Sequence, residues 1–223
     1  MKLSFVERRE LAPTIWEYTF QSERPLDFVA GQYVSINVPG VVGDSRGSAR
    51  VYTLTSQPGD ELITFILKLP EPHSPHKEAL TRLQPGDPAS CQDAMGDLIL
   101  PKDPNLPLVF IAGGIGIASY VSMLQELLAK REERQIFFYY ALRDKREQLY
   151  RELFNSYPLA WSALTIAPNR LTAQQVLDTS PPDSFYYLSG SQRFVEGLRA
   201  QFEQLGVPRN QIVFDYYDGY AEL

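Results

Sequence analysis

The sequence predicts two unlike domains in tandem, a small antiparallel β-barrel over residues 1–101 and a parallel α/β sheet over residues 102–223. Three observations carry that expectation. Short, partly alternating apolar segments separated by turn residues fill the first hundred positions, the rhythm of a barrel of short strands. A proline-studded stretch, Pro101-Lys102-Asp103-Pro104-Asn105-Leu106-Pro107, then breaks the pattern as a linker would. Beyond it, apolar runs of strand length alternate with amphipathic segments of helix length, the βαβ signature of a parallel sheet covered on both faces.

In the first domain, strands are expected at residues 4–6, 15–20, 33–38, 51–54, 62–69 and 97–100. One helix is expected at 76–83 and is closed by Gln84-Pro85-Gly86-Asp87. Ser74 can cap that helix and Pro75 suits its first turn. The Gly- and Ser-rich segment 40–48 reads as an exposed hairpin loop. In the second domain, strands are expected at 108–112, 136–142, 163–167, 185–188 and 212–214, with helices at 117–130, 147–157, 173–177 and 194–205. Crossovers in such a sheet are right-handed, and ligands gather at the carboxyl ends of its strands.

Composition bounds the function. Hydrophobic residues make up 44% and charged residues 22% of 223 positions, the balance of a globular chain able to bury two cores. The longest apolar runs, such as 108–112, fall far short of the roughly 20 residues of a bilayer span, so no membrane insertion is expected. The amino terminus turns charged at Glu7-Arg8 before a secretory core can form, which predicts a cytoplasmic chain. A net charge of −6 without a basic tract argues against a nucleic-acid partner. The single cysteine, Cys91, excludes an intrachain disulfide and a four-cysteine iron–sulfur cluster held by this chain alone. Its setting, Ala89-Ser90-Cys91-Gln92, suits a small buried residue in a strand. His73 and His76 lack metal-ligand neighbours at useful spacing and read as loop residues, so no metal site is expected.

Four segments carry chemistry. In Arg50-Val51-Tyr52-Thr53, strand alternation puts Arg50 and Tyr52 on one face and Thr53 on the other. A guanidinium grips phosphate oxygens bidentately, a phenol ring can lie against a flat heterocycle, and a hydroxyl can meet a ring-edge nitrogen. Taken alone, such an arginine equally fits a surface ion pair on an edge strand. Ser74-Pro75-His76-Lys77 opens a helix whose free amides, with Lys77, form an anion site or merely a cap. Gly113-Gly114-Ile115-Gly116 directly follows the apolar run 108–112, where bare backbone can approach a pyrophosphate, although a glycine turn of this kind can also be structural. Near the end, Tyr187-Leu188-Ser189-Gly190-Ser191 closes a strand in small polar residues, and Asp215-Tyr216-Tyr217 could fold an aromatic ring over the crevice or pack it on the surface.

Read together, these residues resemble the ferredoxin–NADP⁺ reductase superfamily over essentially the whole chain. The resemblance implies a flavin-binding barrel followed by an NAD(P)-binding domain, and an oxidoreductase passing hydride from NAD(P)H to the flavin and electrons to a separate acceptor. Arg50 would contact the flavin phosphate, with Val51 beside it; Tyr52 would stack on the ring; Thr53 would hydrogen-bond near N5. Leu67, Leu69, Ser74 and Lys77 would complete the flavin site, with FAD as the cofactor and FMN as the alternative. Gly113, Gly114, Gly116 and Gly190 would hold the nicotinamide nucleotide, Ser189 would lie near the nicotinamide, and Tyr217 would shield the flavin. The segments 31–34 and 95–101 look like the barrel strand before the flavin site and the closing strand. Arg143 and Lys145, with Arg170 as a further candidate, could meet a 2′-phosphate, which favours NADPH over NADH. The chain departs from the family at Ser74-Pro75-His76-Lys77, where many members have Gly-x-x-Ser. It also has Ala118-Ser119 in place of Thr-Pro, and Ser189 and Ser191 in place of cysteine and proline. The acceptor would be a redox protein or a small molecule. A non-catalytic flavin-binding subunit or sensor with a decayed nicotinamide site is the alternative.

Overall fold

The computed structural model describes residues 1–217, without the side chains of Trp161 and Tyr217. Its first half is a six-stranded antiparallel sheet of β1 (Lys2–Ala12), β2 (Ile15–Ser22), β3 (Tyr33–Asn37), β4 (Ala49–Thr53), β5 (Leu62–Lys68) and β6 (Pro88–Cys91). Helix α1 (Pro75–Arg82) lies between the last two. The order is β4-β3-β6-β1-β2-β5, and the two edges meet at a bridge between Leu54 and Phe65, giving a barrel-like sheet whose ladder is otherwise open. Alternation turns Tyr18, Phe20, Val34, Ile36, Tyr52, Leu54 and Phe65 inward. Phe65 is the hub, stacked on Tyr52 at 4.2 Å, Phe20 at 5.8 Å and Tyr18 at 5.9 Å. Each such ring contributes roughly 1.5–3 kcal/mol by leaving water. Cys91 is buried in the same core.

Two expectations in this half are corrected. Strand β1 runs eleven residues rather than three, because the charged stretch Glu7-Arg8-Arg9-Glu10 pairs with β2, with Glu7, Arg9 and Glu10 facing solvent and the Arg8 guanidinium donating to the Leu80 and Thr81 carbonyls of α1. Residues 97–100 are not a strand. Met95 makes one bridge to Tyr33, and β6 takes the closing place against β1 and β3. The 97–100 backbone is instead engaged by the other half of the chain: the Tyr187 hydroxyl donates to the Ile99 carbonyl at 2.9 Å.

The second half is a five-stranded parallel sheet of β7 (Leu108–Gly113), β8 (Ile136–Leu142), β9 (Trp161–Ile166), β10 (Phe185–Ser191) and β11 (Ile212–Tyr217), in the order β11-β10-β7-β8-β9. Four α-helices accompany it: α2 (Ala118–Lys130), α3 (Arg151–Ser156), α4 (Ala173–Leu177) and α5 (Gln192–Gln204). One face packs Phe110, Phe138 and Tyr140 under α2 and α3, and its cluster continues into Ala12, Ile15, Ala30, Ile66 and Leu98 of the first half. The other face packs Val109, Ile111, Phe137 and Tyr139 under α4 and α5. The expected helix at 147–157 is broken into a 3₁₀ turn at Lys145–Glu147 and the short α3, with Tyr150 between them in the left-handed region at φ 52°. A tertiary bond accompanies the break, since the Tyr150 hydroxyl donates to Glu17 of β2 at 3.0 Å.

The two halves are joined closely. Gly31 sits at φ +98° and donates its amide to Ser122 Oγ of α2 at 2.9 Å, and a Cβ there would lie 2.1 Å from the Leu98 carbonyl oxygen. Lys68 of β5 holds both carboxylate oxygens of Glu147 at 2.9 and 2.8 Å. Within the parallel sheet, β7 leads to β8 on one side while β10 returns on the other. Strand order therefore reverses between β7 and β10, and the crevice between their carboxyl ends is where such sheets bind ligands.

Candidate functional site

At that switch point the chain turns from β7 through a 3₁₀ segment, Gly114–Ile117, into α2, with no side chain capping the turn. Its leading amides are free to meet an anion. The three glycines do different things. A Cβ on Gly113 would strike the Phe194 ring at 2.6 Å, and one on Gly116 would strike the Ser189 carbonyl oxygen at 2.2 Å, so both are required by close packing of the turn on β10 and α5. Gly114, at φ +56°, would place a Cβ in open space and faces the crevice.

The crevice is a cavity of about 570 Å³ running from the glycine turn along the carboxyl ends of β8 and β9 to α5. Gly113, Gly114 and Arg143 line it, together with Arg170, Arg193, Lys68 and Glu147; Lys145 does not. Arg143, Arg170 and Arg193 are exposed, and none pairs with a carboxylate among the described residues. Arg193 was not legible beforehand, because it lies on α5, nearly eighty residues from the glycine turn. Ser189 and Gly190 are both buried at the end of β10. Ser189 Oγ bonds Ser119 Oγ at 3.0 Å, so the two serines that stand where the family has cysteine and proline touch one another. The Tyr217 side chain lies outside the described residues; its backbone pairs with Ser191 in the β10–β11 ladder.

The second constellation lies on the first half. Ser74 caps α1, accepting from the Lys77 amide at 3.4 Å. Arg50 points toward this helix but is engaged by its own chain. Its Nη2 lies 2.5 Å from Asp44 Oδ2, and its Nη1 donates to the carbonyls of Arg46 at 3.2 Å, Gly47 at 2.9 Å and Ala49 at 2.6 Å. An ion pair such as sequence left open is thus present, but buried rather than on the surface, and with a partner that spacing did not suggest. Segment 40–48 is exposed at Val42 but turns the Asp44 side chain inward to 4% exposure. Burial works to raise the Asp44 pKa, yet the Arg46 amide, the Arg50 guanidinium and the His76 amide together bring it below its ordinary value. Burial, then repulsion from Arg46, brings the half-buried Lys77 amine down to about 8.

Tyr52 is 8% exposed, one face covered by Phe65 and the His76 ring lying 6.0 Å away. Thr53 is likewise buried, whereas Val51 is 49% exposed. Leu67 and Leu69 face the barrel core rather than the surface. Arg50 therefore lies near the first turn of α1 through His76, and Arg46 lies near Lys77, while Tyr52, Leu67 and Leu69 belong to the core of this half.

Residues 110–187 match the family model of the oxidoreductase NAD-binding domain, and the barrel-like sheet precedes them. The match and the fold together support the ferredoxin–NADP⁺ reductase-like superfamily. The chain is similar to the phenol hydroxylase P5 protein of Acinetobacter pittii, 29% identical over 150 residues, which cover 67% of this chain and 41% of that one. The flavohemoprotein of Bacillus cereus is 26% identical over 220 residues, covering 88% of this chain and 54% of the relative. The chain thus spans about half the length of the curated relatives it matches. In fold it superposes on the ferredoxin–NADP⁺ reductase of Plasmodium falciparum with a TM-score of 0.81 at 16% identity, covering 97% and 95% of the two chains.

His76 differs from the loop residue that its sequence neighbours suggested. It is not a loop residue but a fully buried one in the first turn of α1. Its Nδ1 donates to the Ser48 carbonyl at 3.1 Å, which leaves Nε2 as the acceptor, without a partner among the described residues. Burial, then the nearby Arg50 charge, brings its pKa from 6.5 to about 4. The folded chain therefore refuses a proton that the unfolded chain accepts, so stability is full above pH 6.5 and falls as pH drops toward about 4. The wild-type melting midpoint is expected to fall more steeply over that window than that of His76→Gln; equal slopes would contradict it. Among the described residues no three metal-ligating side chains gather, and no helix is long and apolar enough to cross a membrane.

Proposed function

We propose that this chain is a flavin-dependent reductase that accepts hydride equivalents from NADPH and delivers electrons to a separate acceptor. The carrying observation is a pair of corners suited to anions, one on each of two halves that pack together: Arg50 with the first turn of α1, and the uncapped glycine turn at the switch point. The residues fit the two nucleotides. Arg50, Lys77 and the α1 amides would hold the flavin phosphate, and the amides after Gly113 would hold the pyrophosphate of the dinucleotide, close to the backbone that Gly114 leaves bare. Bound flavin would supply the exchange between two-electron hydride chemistry and one-electron transfer. The protein's part is orientation: Ser189 and Gly190 at the end of β10 would position the nicotinamide, Thr53 would hydrogen-bond near the flavin edge, and Tyr217 would cover its ring.

FAD is favoured over FMN by a second cleft, about 910 Å³, beside α1 and lined by Pro39, Pro75, Glu78 and Arg82, which leaves room for an adenosine half. NADPH is favoured by Arg143, Arg170 and Arg193, three uncompensated cations rimming the nucleotide cavity, to which a 2′-phosphate would be complementary. The names of the relatives, a phenol hydroxylase component and a flavohemoprotein, support an oxygenase or haem centre as the acceptor's class; a small-molecule acceptor fits the same chemistry. The open nucleotide cavity favours a working reductase over a flavin subunit without a nicotinamide site.

An anaerobic absorbance titration of the flavin-loaded protein tests this reading. NADPH is expected to bleach the flavin band at lower concentration than NADH. Arg170→Ala should raise the NADPH requirement about tenfold, the effect of one lost charge-assisted contact, and leave NADH unchanged. A flavin band that neither nucleotide bleaches would refute the reductase reading.

A further inference from the structure

The described residues include six buried side-chain polar atoms without hydrogen-bond partners, and three of them fall in one cluster: Asp44 Oδ2, Arg50 Nη2 and His76 Nε2. The first two touch at 2.5 Å without the alignment of a hydrogen bond. Asp44 Oδ1 accepts from the Arg46 amide at 3.0 Å, and the His76 amide, in the first turn of α1, also stabilises the carboxylate. A carboxylate held by a guanidinium and a helix-start amide stands where an anionic ligand of that corner would stand. The segment that carries it is fastened to the sheet near its end, where the Val38 amide donates to the Ser48 carbonyl at 3.3 Å, and is closed on itself by the Gly47 amide donating to the Asp44 carbonyl at 3.0 Å. Ser48 accepts from His76 Nδ1, Arg50 Nη1 is shared among the Arg46, Gly47 and Ala49 carbonyls, and a Cβ on Gly40, Gly43 or Gly47 would meet nothing within 4 Å.

We propose that Asp44 is a built-in competitor for the flavin phosphate. Its carboxylate occupies the anion position between Arg50 and α1, and flavin loading displaces it by swinging segment 40–48 outward. This rests on the reading of Arg50 as a phosphate ligand. The two anions cannot share the corner, because a carboxylate and a phosphate within contact of one guanidinium repel each other. Displacement returns Asp44 to water, where it needs no partner. The device sets affinity by phosphate content: riboflavin, without a phosphate, has no reason to evict Asp44.

The test is flavin binding to the full chain stripped of flavin, followed by fluorescence quenching with FAD, FMN and riboflavin, for wild type, Asp44→Asn and Arg50→Ala. Asp44→Asn is expected to tighten FAD and FMN at least fivefold and to leave riboflavin unchanged. Unchanged or weakened FAD binding in Asp44→Asn, while Arg50→Ala still weakens it, overturns the competitor and assigns Asp44 to holding Arg50 in place. FAD binding indifferent to Arg50→Ala overturns the phosphate reading itself, and the competitor with it. Hydrogen exchange on the wild-type protein needs no variant to fold. FAD should speed exchange of amides 44–48, including that of Arg46, and riboflavin should not; protection of those amides by FAD overturns the proposal.

Discussion

Replacing Arg50 by alanine is expected to weaken flavin binding on the order of a hundredfold, the loss of about two charge-assisted hydrogen bonds to phosphate. It should also lower stability, because Asp44 is buried beside it at 2.5 Å and would keep only backbone donors and the more distant Arg46 guanidinium at 3.8 Å. The two effects separate by chemistry. Arg50→Lys retains the charge beside Asp44 but not the planar fork, so it should recover most of the stability and little of the flavin affinity. Flavin fluorescence titration and a thermal melt on the three proteins check both parts. Unaltered flavin affinity in Arg50→Ala would remove Arg50 from the site.

Gly116→Ala is expected to have the largest effect in the second half of the chain. Its Cβ would lie 2.2 Å from the Ser189 carbonyl oxygen, 2.4 Å from that carbonyl carbon and 2.7 Å from the Gly190 amide nitrogen. All three are backbone atoms of a strand paired on both sides, so no rotamer change relieves the clash. The start of α2 must then retreat from β10, at a cost of about 3 kcal/mol, and the crevice between β7 and β10 deforms with it. Gly114→Ala makes the instructive contrast. Its Cβ would meet nothing, so stability should fall only about 1–2 kcal/mol for the left-handed backbone. The added methyl would nevertheless stand in the cavity where a pyrophosphate approaches, and NADPH affinity should fall more than stability predicts. Melting curves with NADPH titrations on both variants distinguish the structural glycine from the binding one.

The parallel half was the more legible. Strands β7 and β8 are continuous apolar runs that read as buried on both faces, and the glycine turn announced the switch point because little else ends such a strand so abruptly. What escaped notice there depended on distant partners. The 147–157 helix is interrupted where Tyr150 meets Glu17 of β2, 133 residues away in sequence. Arg193 joins the cavity only because α5 returns beside the glycine turn. In the barrel-like half, the charged β1 could not be seen as a long strand until β2 supplied its ladder, and 97–100 resembled a strand although its neighbours are side chains of the other half.

The amino-acid sequence by itself determined the local chemistry: which segments are strands or helices, where backbone is bare enough for an anion, and that Arg50, Ser74 and Lys77 are the cations and caps available. Periodicity and turn chemistry act over a few residues, so they survive in the linear order. Tertiary structure alone decided who meets whom. It sent Asp44 from an exposed loop into Arg50, buried His76 under Ser48 with its pKa lowered, set Tyr52 against Phe65, and laid Ser119 on Ser189. Apart from Asp44 and Arg50, six positions apart, those are contacts between residues far apart in the chain, fixed by how the elements pack, and packing is a property of the whole that no local pattern encodes.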